Sequence, residues 1–457
     1  MGQIRENQSI YQRGKAHNPA YWTVLLRHYN RKVKSVAIDL TPLRKYRDFR
    51  LIFTAGLFSY FGTMITLVAL PFQIKELTNS YWMVGLIGSV EIIPLVIFGL
   101  YGGVLADHVD RKKMIWFTEF GTLIATFVLF LNAMREKPSV IVIFVIAAVF
   151  AALSGLKRPS QDAILPRLVN HDDLPSATAL MSLRWQFGGI VGPAVGGLIV
   201  AAYGAEAGYL VDCTTFIVSL TLLSRIKAVP PLTTRTSPNI QSLMEGIRYA
   251  IGRKDLLGTY VVDLAAMFLA MPMALFPFWA DAIGAPWALG LFYSSITAGA
   301  VIVTLSSGWM RNYPKHGKAV VIGALGWGIA IVIAGTTDSL PIVIGSLVIA
   351  GAFDQVSAMF RGFIWNQSIP DELRGRLAGI EMISYLVGPL GGQARAGGMA
   401  AMTSLRTSII GGGVLCIGFV AIIASVMEKF RNYDVRTNEY ALREAEIRKA
   451  REATKES

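Results

Sequence analysis

Apolar runs of about twenty residues recur along the whole chain, broken by polar connections that alternate between short and longer. Coiled as a helix, a run of that length matches the hydrocarbon thickness of a bilayer. Twelve spans are expected, at roughly 49–71, 81–105, 112–133, 138–157, 174–201, 206–224, 256–280, 286–310, 317–336, 340–363, 374–400 and 405–428. The longest interior break, 225–255, carries Pro230-Pro231 and a Thr/Ser run, and it divides the spans six and six. The expected fold is therefore all-α and polytopic. A tail at 1–48 leads into a six-helix bundle at 49–224, the linker 225–255 leads into a second bundle at 256–428, and a charged tail follows at 429–457.

Composition agrees with the pattern. The chain is 53% hydrophobic, its mean hydropathy is +0.49, and 16% of its residues are charged, against about a quarter in soluble domains. The net charge of +13 would suit nucleic acid if it were clustered on a soluble face, but its placement excludes that. With twelve spans, 37 of the 43 Lys/Arg fall on the side of the two tails and the linker, and five fall on the other. By the positive-inside rule both termini are expected in the cytoplasm of a bacterial inner-membrane protein. Within the N-terminal tail, Tyr21, Trp22, Leu25, Leu26 and Tyr29 interleave with Arg27, Arg31, Lys32 and Lys34, a pattern that a disordered tail or a helix lying on an anionic leaflet would both allow. No cleavable signal is expected, because nearly fifty residues precede the first apolar run. Cys213 and Cys416 lie in apolar segments and the five histidines are scattered, so neither disulfide nor metal site is expected. There is no GxxxxGK[ST] loop and no nucleophile–base set. Enzymatic activity, ATP-driven pumping and a cofactor are accordingly not expected.

The fifth span holds the densest pattern. Gly188, Gly192 and Gly196 fall four apart and make one side-chain-free face, with Gly189, Pro193 and Gly197 as a second stripe. Pro193 marks a place where the helix kinks or can bend. Arg184 stands one turn before the first groove glycine. The stretch is echoed 196 residues later by Gly388-Pro389-Leu390-Gly391-Gly392, so the halves repeat in parallel, the layout of a two-bundle secondary transporter. After the second span the chain reads Gly103-Val104-Leu105-Ala106-Asp107-His108-Val109-Asp110-Arg111-Lys112-Lys113.

This loop resembles the signature of the major facilitator superfamily, with Asp107 and Arg111 at its charged positions and His108 and Asp110 departing from the usual Arg and Gly. Gly188, Gly192, Pro193, Gly196 and Gly197 resemble the fifth-helix motif of that superfamily's exporters. Val68–Ile74, Trp82–Leu86, Gly102–Lys113, Ala274–Pro277 and Gly375–Leu377 look closest to its bacterial siderophore-exporter branch, typified by enterobactin export. The resemblance implies alternating access by two rocking bundles, with Asp107 and Arg111 latching one state and the fifth helix serving as a gating element. It also implies a monomer that carries an amphipathic small molecule, a siderophore or a hydrophobic drug, against protons. Many relatives with proton coupling carry an arginine midway through the fourth helix; here 138–156 holds no charge.

Ionisable groups inside a bilayer are costly unless paired or wet. Glu91, Asp263, Asp212, Arg184, Asp354 and Glu381 are the candidates for substrate contact or proton coupling, with Glu119 a weaker one. Arg184 could pair with Glu119 or Glu381. Met271-Pro272-Met273 and Pro277, with Phe268, Phe276, Phe278 and Trp279, interrupt the seventh span, either lining a cavity or packing at an interface. An exporter is the leading expectation. An uptake symporter or lysolipid flippase on the same fold, and a non-transporting membrane sensor or scaffold built around the long tails, are the alternatives.

Overall fold

A computed structural model describes residues 39–229 and 248–456. The N-terminal amphipathic stretch and most of the linker lie outside the described residues, as do the side chains of Asp107 and Glu381. Among the described residues the chain is helical and ten helices are long and apolar enough to cross a membrane. The first half comprises α1 (Arg47–Thr78), α2 (Tyr81–His108), α3 (Arg111–Ala133), α4 (Val140–Leu168) and α5 (Leu174–Ser224). The second comprises α6 (Lys254–Ala270), α7 (Phe276–Ala282), α8 (Leu289–Leu305), α9 (His316–Gly335), α10 (Leu340–Ser368), α11 (Asp371–Met402) and α12 (Leu405–Val426), followed by the tail helix α13 (Glu439–Glu456).

The expected fifth and sixth spans are one helical run of 51 residues, α5, which if straight would reach about 77 Å, far beyond one bilayer crossing. It does not run straight. Gly204 takes φ 81°, and Gly208 packs against the side chain of Val200, which only a reversal of the chain at Gly204 permits. Pro193, by contrast, leaves α5 helical, because the non-helical break falls at Gly204. The proline forfeits one bond to Gly189 without bending the chain out of helical φ/ψ.

Two boundaries differ from the sequence expectation in ways that matter for function. The fourth helix continues through Pro159 and Pro166 to Leu168, so Lys157 lies inside it rather than at its end. The C-terminal tail is not a free solvated helix. Phe430 and Tyr433 are buried; the Phe430 side chain fills the space left by Gly258, and Gly317 lies against the backbone of Phe430 and Arg431. The backbone N–H of Gly317 donates to Tyr433 O at 3.2 Å, and that of Val435 donates to Pro314 O at 3.1 Å. Arg253 stacks over the Tyr440 ring at 3.6 Å. Arg448, which its spacing offers to Glu444, donates instead to the Asn366 carbonyl at 2.5 Å. Outside the helical bundle, the hydrogen bond from Arg436 pulls the Asp434 carboxyl down to about 2. The tail thus staples together the terminal ends of α6, α9 and α10.

Candidate functional site

The two glycine stripes of α5 seat different partners. A Cβ built at Gly192 would fall 2.5 Å from Met64 Cβ, and one at Gly196 would fall 2.9 Å from Ile65 Cα, so the first stripe is the bed of α1. A Cβ at Gly189 would reach Thr297 at 3.0 Å, and one at Gly197 would reach Gly290 Cα at 2.5 Å, both on α8. The second stripe is therefore a contact between the two halves, made backbone to backbone where Gly197 meets Gly290. A matching contact joins α2 to α11, where a Cβ on Gly85 would stand 2.9 Å from Gly397 Cα and one on Gly88 would stand 3.0 Å from the Leu390 carbonyl carbon.

Other links between the halves lie in the same part of the molecule, from its middle to the end away from the termini. Ser294 Oγ donates to Ile190 O at 2.6 Å, the Tyr81 and Phe278 rings lie 4.4 Å apart, and Lys75 pairs with Asp281. The Pro-broken seventh span forms this closed end. Phe276 packs its ring on Phe292 at 5.6 Å and Tyr293 at 4.9 Å, and the Trp279 ring lies tilted against Phe292 at 5.5 Å. These aromatics are buried packing within the second half; Phe268, on α6, is the exposed one.

The ionisable candidates divide into three places. Glu91 is half-buried on α2 and, among the described residues, has no hydrogen bond or ion pair. It shares the face of Ile87 and Gly88, one turn beyond the contact of Gly88 with Leu390 and toward the termini. In the second half Asp263 on α6 is buried and ion-paired with Arg361 of α10. Asp354 lies two turns before Arg361 and is half-buried. Arg361 is not singled out by the sequence pattern; it sits seven residues before the helix end, where the span expectation places it at a cytoplasmic border.

In the first half, Asp212 is buried and accepts hydrogen bonds from Thr66 Oγ1 at 2.5 Å and Thr215 Oγ1 at 3.3 Å, with Gly62 leaving room for the cluster. Two turns on, Ser219 Oγ donates to buried Glu119 at 2.5 Å, and Lys157 Nζ approaches Glu119 at 3.3 Å. Arg184 is buried too, but among the described residues it has no ion pair or hydrogen bond. Its guanidinium rests on Gly56, its Nε is unbonded, and it lies 5.4 Å from the Trp185 ring. Of the two partners open to Arg184, Glu381 has its side chain outside the described residues, and Glu119 is ion-paired with Lys157 instead, because the extended α4 carries the lysine into the bundle. In the signature loop, Arg111 Nη1 donates to Ala163 O at 2.9 Å, tying α3 to α4. Asp110, the departure from the usual glycine, accepts from the Lys113 N–H and caps α3.

Residues 37–451 match the family model described as a transmembrane secretion effector. The chain is 29% identical over 407 residues to the enterobactin exporter EntS of Shigella boydii serotype 18, covering 87% of this chain and 97% of the relative. It is equally similar to that of Escherichia coli O1:K1. Among solved structures, a bacterial homologue of the human lysosomal transporter Spinster, in an inward-facing and unoccupied conformation, superposes with a TM-score of 0.67 at 14% identity, over 85% of this chain and 98% of the other. The nucleoside transporter NupG gives 0.68 at 11% identity, over 83% and 99%. At such identities the likeness concerns the fold alone.

Proposed function

From the premise that the chain belongs to the transmembrane secretion effector family of major facilitator transporters, and so is a multi-pass membrane transporter rather than an enzyme, we propose that it exports an amphipathic small molecule, of the siderophore or hydrophobic-drug kind, in exchange for protons. The observation that carries this reading is the asymmetry of the interface between the halves. It is closed backbone to backbone at the end away from the termini, with a carboxyl, Glu91, that has no ion pair or hydrogen bond among the described residues on the α2 face just beyond that closure. The Lys/Arg excess favours a cytoplasmic terminal end, so in this reading the arrangement is closed at the outer face of a twelve-span protein in the bacterial inner membrane. The siderophore assignment draws on the printed function of the relatives, the enterobactin exporters. The glycine stripes of α5 and the Asp107–Arg111 loop act as closure and gating elements at the two ends.

Glu91 is the proton carrier in this reading. A carboxyl on the cleft face of a membrane helix can exchange a proton as the cleft opens to water and closes. Glu91→Gln is expected to reduce proton-driven efflux to the background of empty vesicles while substrate binding stays within about twofold. Efflux that keeps its full dependence on a pH gradient would remove Glu91 from that role. Orientation has its own test: a reporter fused after Ser457 is expected to read cytoplasmic, and a periplasmic signal would overturn the placement of both termini.

A further inference from the structure

The pocket beside Arg184 buries a guanidinium that, among the described residues, has no ion pair or hydrogen bond. It is lined by Ile52, Gly56, Glu119, Gln161, Met181 and Arg184 among others, and its free volume is about 10 Å³, room for about one water-sized group. Two charged side chains line it, Glu119 of α3 and Arg184 of α5. Glu119 is already engaged by Lys157 of α4 and by Ser219 Oγ, so it faces Arg184 across the pocket and, among the described residues, makes no ion pair with it. The Gln161 amide of α4 adds a neutral polar group to the lining. A buried cation is expensive in a bilayer protein unless an anion meets it. Arg184 is 4% exposed and its Nε points at no acceptor.

The residue next to it shows where an organic anion would lie. Trp185 is 45% exposed. Its ring meets Tyr60 edge-on at 4.2 Å and lies 5.4 Å from the Arg184 guanidinium. One helical turn before Gly189, it belongs to the stripe that faces α8 of the other half, so the aromatic pair borders the cleft between the halves.

Resting on the transport reading above, we propose that the transported molecule is an organic anion whose acidic group docks on Arg184 while its apolar body lies on Tyr60 and Trp185. Glu119, held by Lys157, keeps the pocket from closing on Arg184 by direct pairing. The anion gives the buried guanidinium a direct partner, and the guanidinium fork with the flat rings gives a carboxylate-bearing aromatic a better fit than its neutral analogue.

The test is binding by the purified full-length protein, with no gradient imposed, so that its result does not depend on coupling or direction. The probes are 2-naphthoate and its neutral isostere 2-naphthamide. The wild type is expected to bind naphthoate at least about tenfold more tightly, as a charge-assisted contact should. Arg184→Gln brings the two within about twofold of each other, and Arg184→Lys keeps the order with a smaller ratio. Glu119→Gln, which removes the competing acid, raises naphthoate affinity and serves if Arg184→Gln does not fold. Replacing gluconate by chloride is expected to leave naphthoate affinity within about twofold. Equal binding of the two probes, no binding of naphthoate at millimolar concentration, a preference that survives Arg184→Gln, or full displacement by chloride would each overturn the proposal, the last by making the site one for inorganic anions. A protein that shows the naphthoate preference but moves no solute would instead defeat the transport reading and leave the site standing.

Discussion

Gly290→Leu is expected to abolish transport by protein that is still correctly inserted. At Gly290 a Cβ meets the Pro193 carbonyl, and Ala194 Cα stands 3.0 Å away. From the other side a Cβ on Gly197 meets Gly290 itself. No flexible side-chain tip is there to give way, so a leucine must hold α5 and α8 apart. Overpacking at such a contact costs about 1–3 kcal/mol, enough to shift a two-state equilibrium by about 5- to 150-fold. Because the contact joins the two halves, that cost falls on the closed end and not on the folding of either half. Spin or fluorescent labels at that end should report a wider separation, and efflux should fall by the same order. Gly345→Leu, where nothing stands within 4 Å, is the control and should transport normally. Gly192→Leu differs again: it wedges α5 off α1 inside one half, so its cost should appear as lost stability and not only as a shifted state.

Arg361→Ala should give the largest loss of stability. It leaves Asp263 buried without this cation and Asp354 nearby on the same helix. Breaking one side of a buried pair typically costs about 3–5 kcal/mol, because the remaining charge has lost both water and partner. Thermal unfolding in detergent should show a clear drop for Arg361→Ala. The double variant Asp263→Asn/Arg361→Gln should recover most of it, since no charge is then stranded. The double variant also separates structure from function. If it is stable yet inactive, Asp263 contributes to coupling or substrate contact; if it is stable and active, the pair is structural.

Much of this architecture is legible in the chain's apolar rhythm, since each span depends only on a local run long enough to cross a bilayer. The α5 motif was legible for the same reason: glycines four apart must share a face, and Gly188, Gly192 and Gly196 do lie against α1. What the spacing does not reveal is which partner each stripe serves. That Gly197 meets Gly290 across the halves depends on residues 93 positions apart, and nothing in the sequence of α5 specifies that register. Lys157 was missed because Lys157-Arg158-Pro159 reads as the end of a helix. The structure carries the helix past two prolines to Leu168, which moves the lysine into the bundle and onto Glu119. Arg361 was passed over for a related reason, an expected span that stopped five residues short of the helix end. The docked tail was hidden by its charge. Phe430, Tyr433 and Tyr440 are the available signals, three aromatics in a segment otherwise suited to solvent, with Gly258 as the socket of Phe430.

The central claim is that the cleft between the two halves carries solute outward on the proton gradient. Its most direct test uses proteoliposomes of known orientation, loaded with a panel of siderophores and amphipathic drugs, with a pH gradient imposed and then collapsed by a protonophore. The account predicts uphill movement of at least one solute from the face that bears the termini to the opposite face, coupled to proton flow the other way and lost when the gradient is collapsed. Movement in the reverse direction, or accumulation that is indifferent to the protonophore, would contradict it.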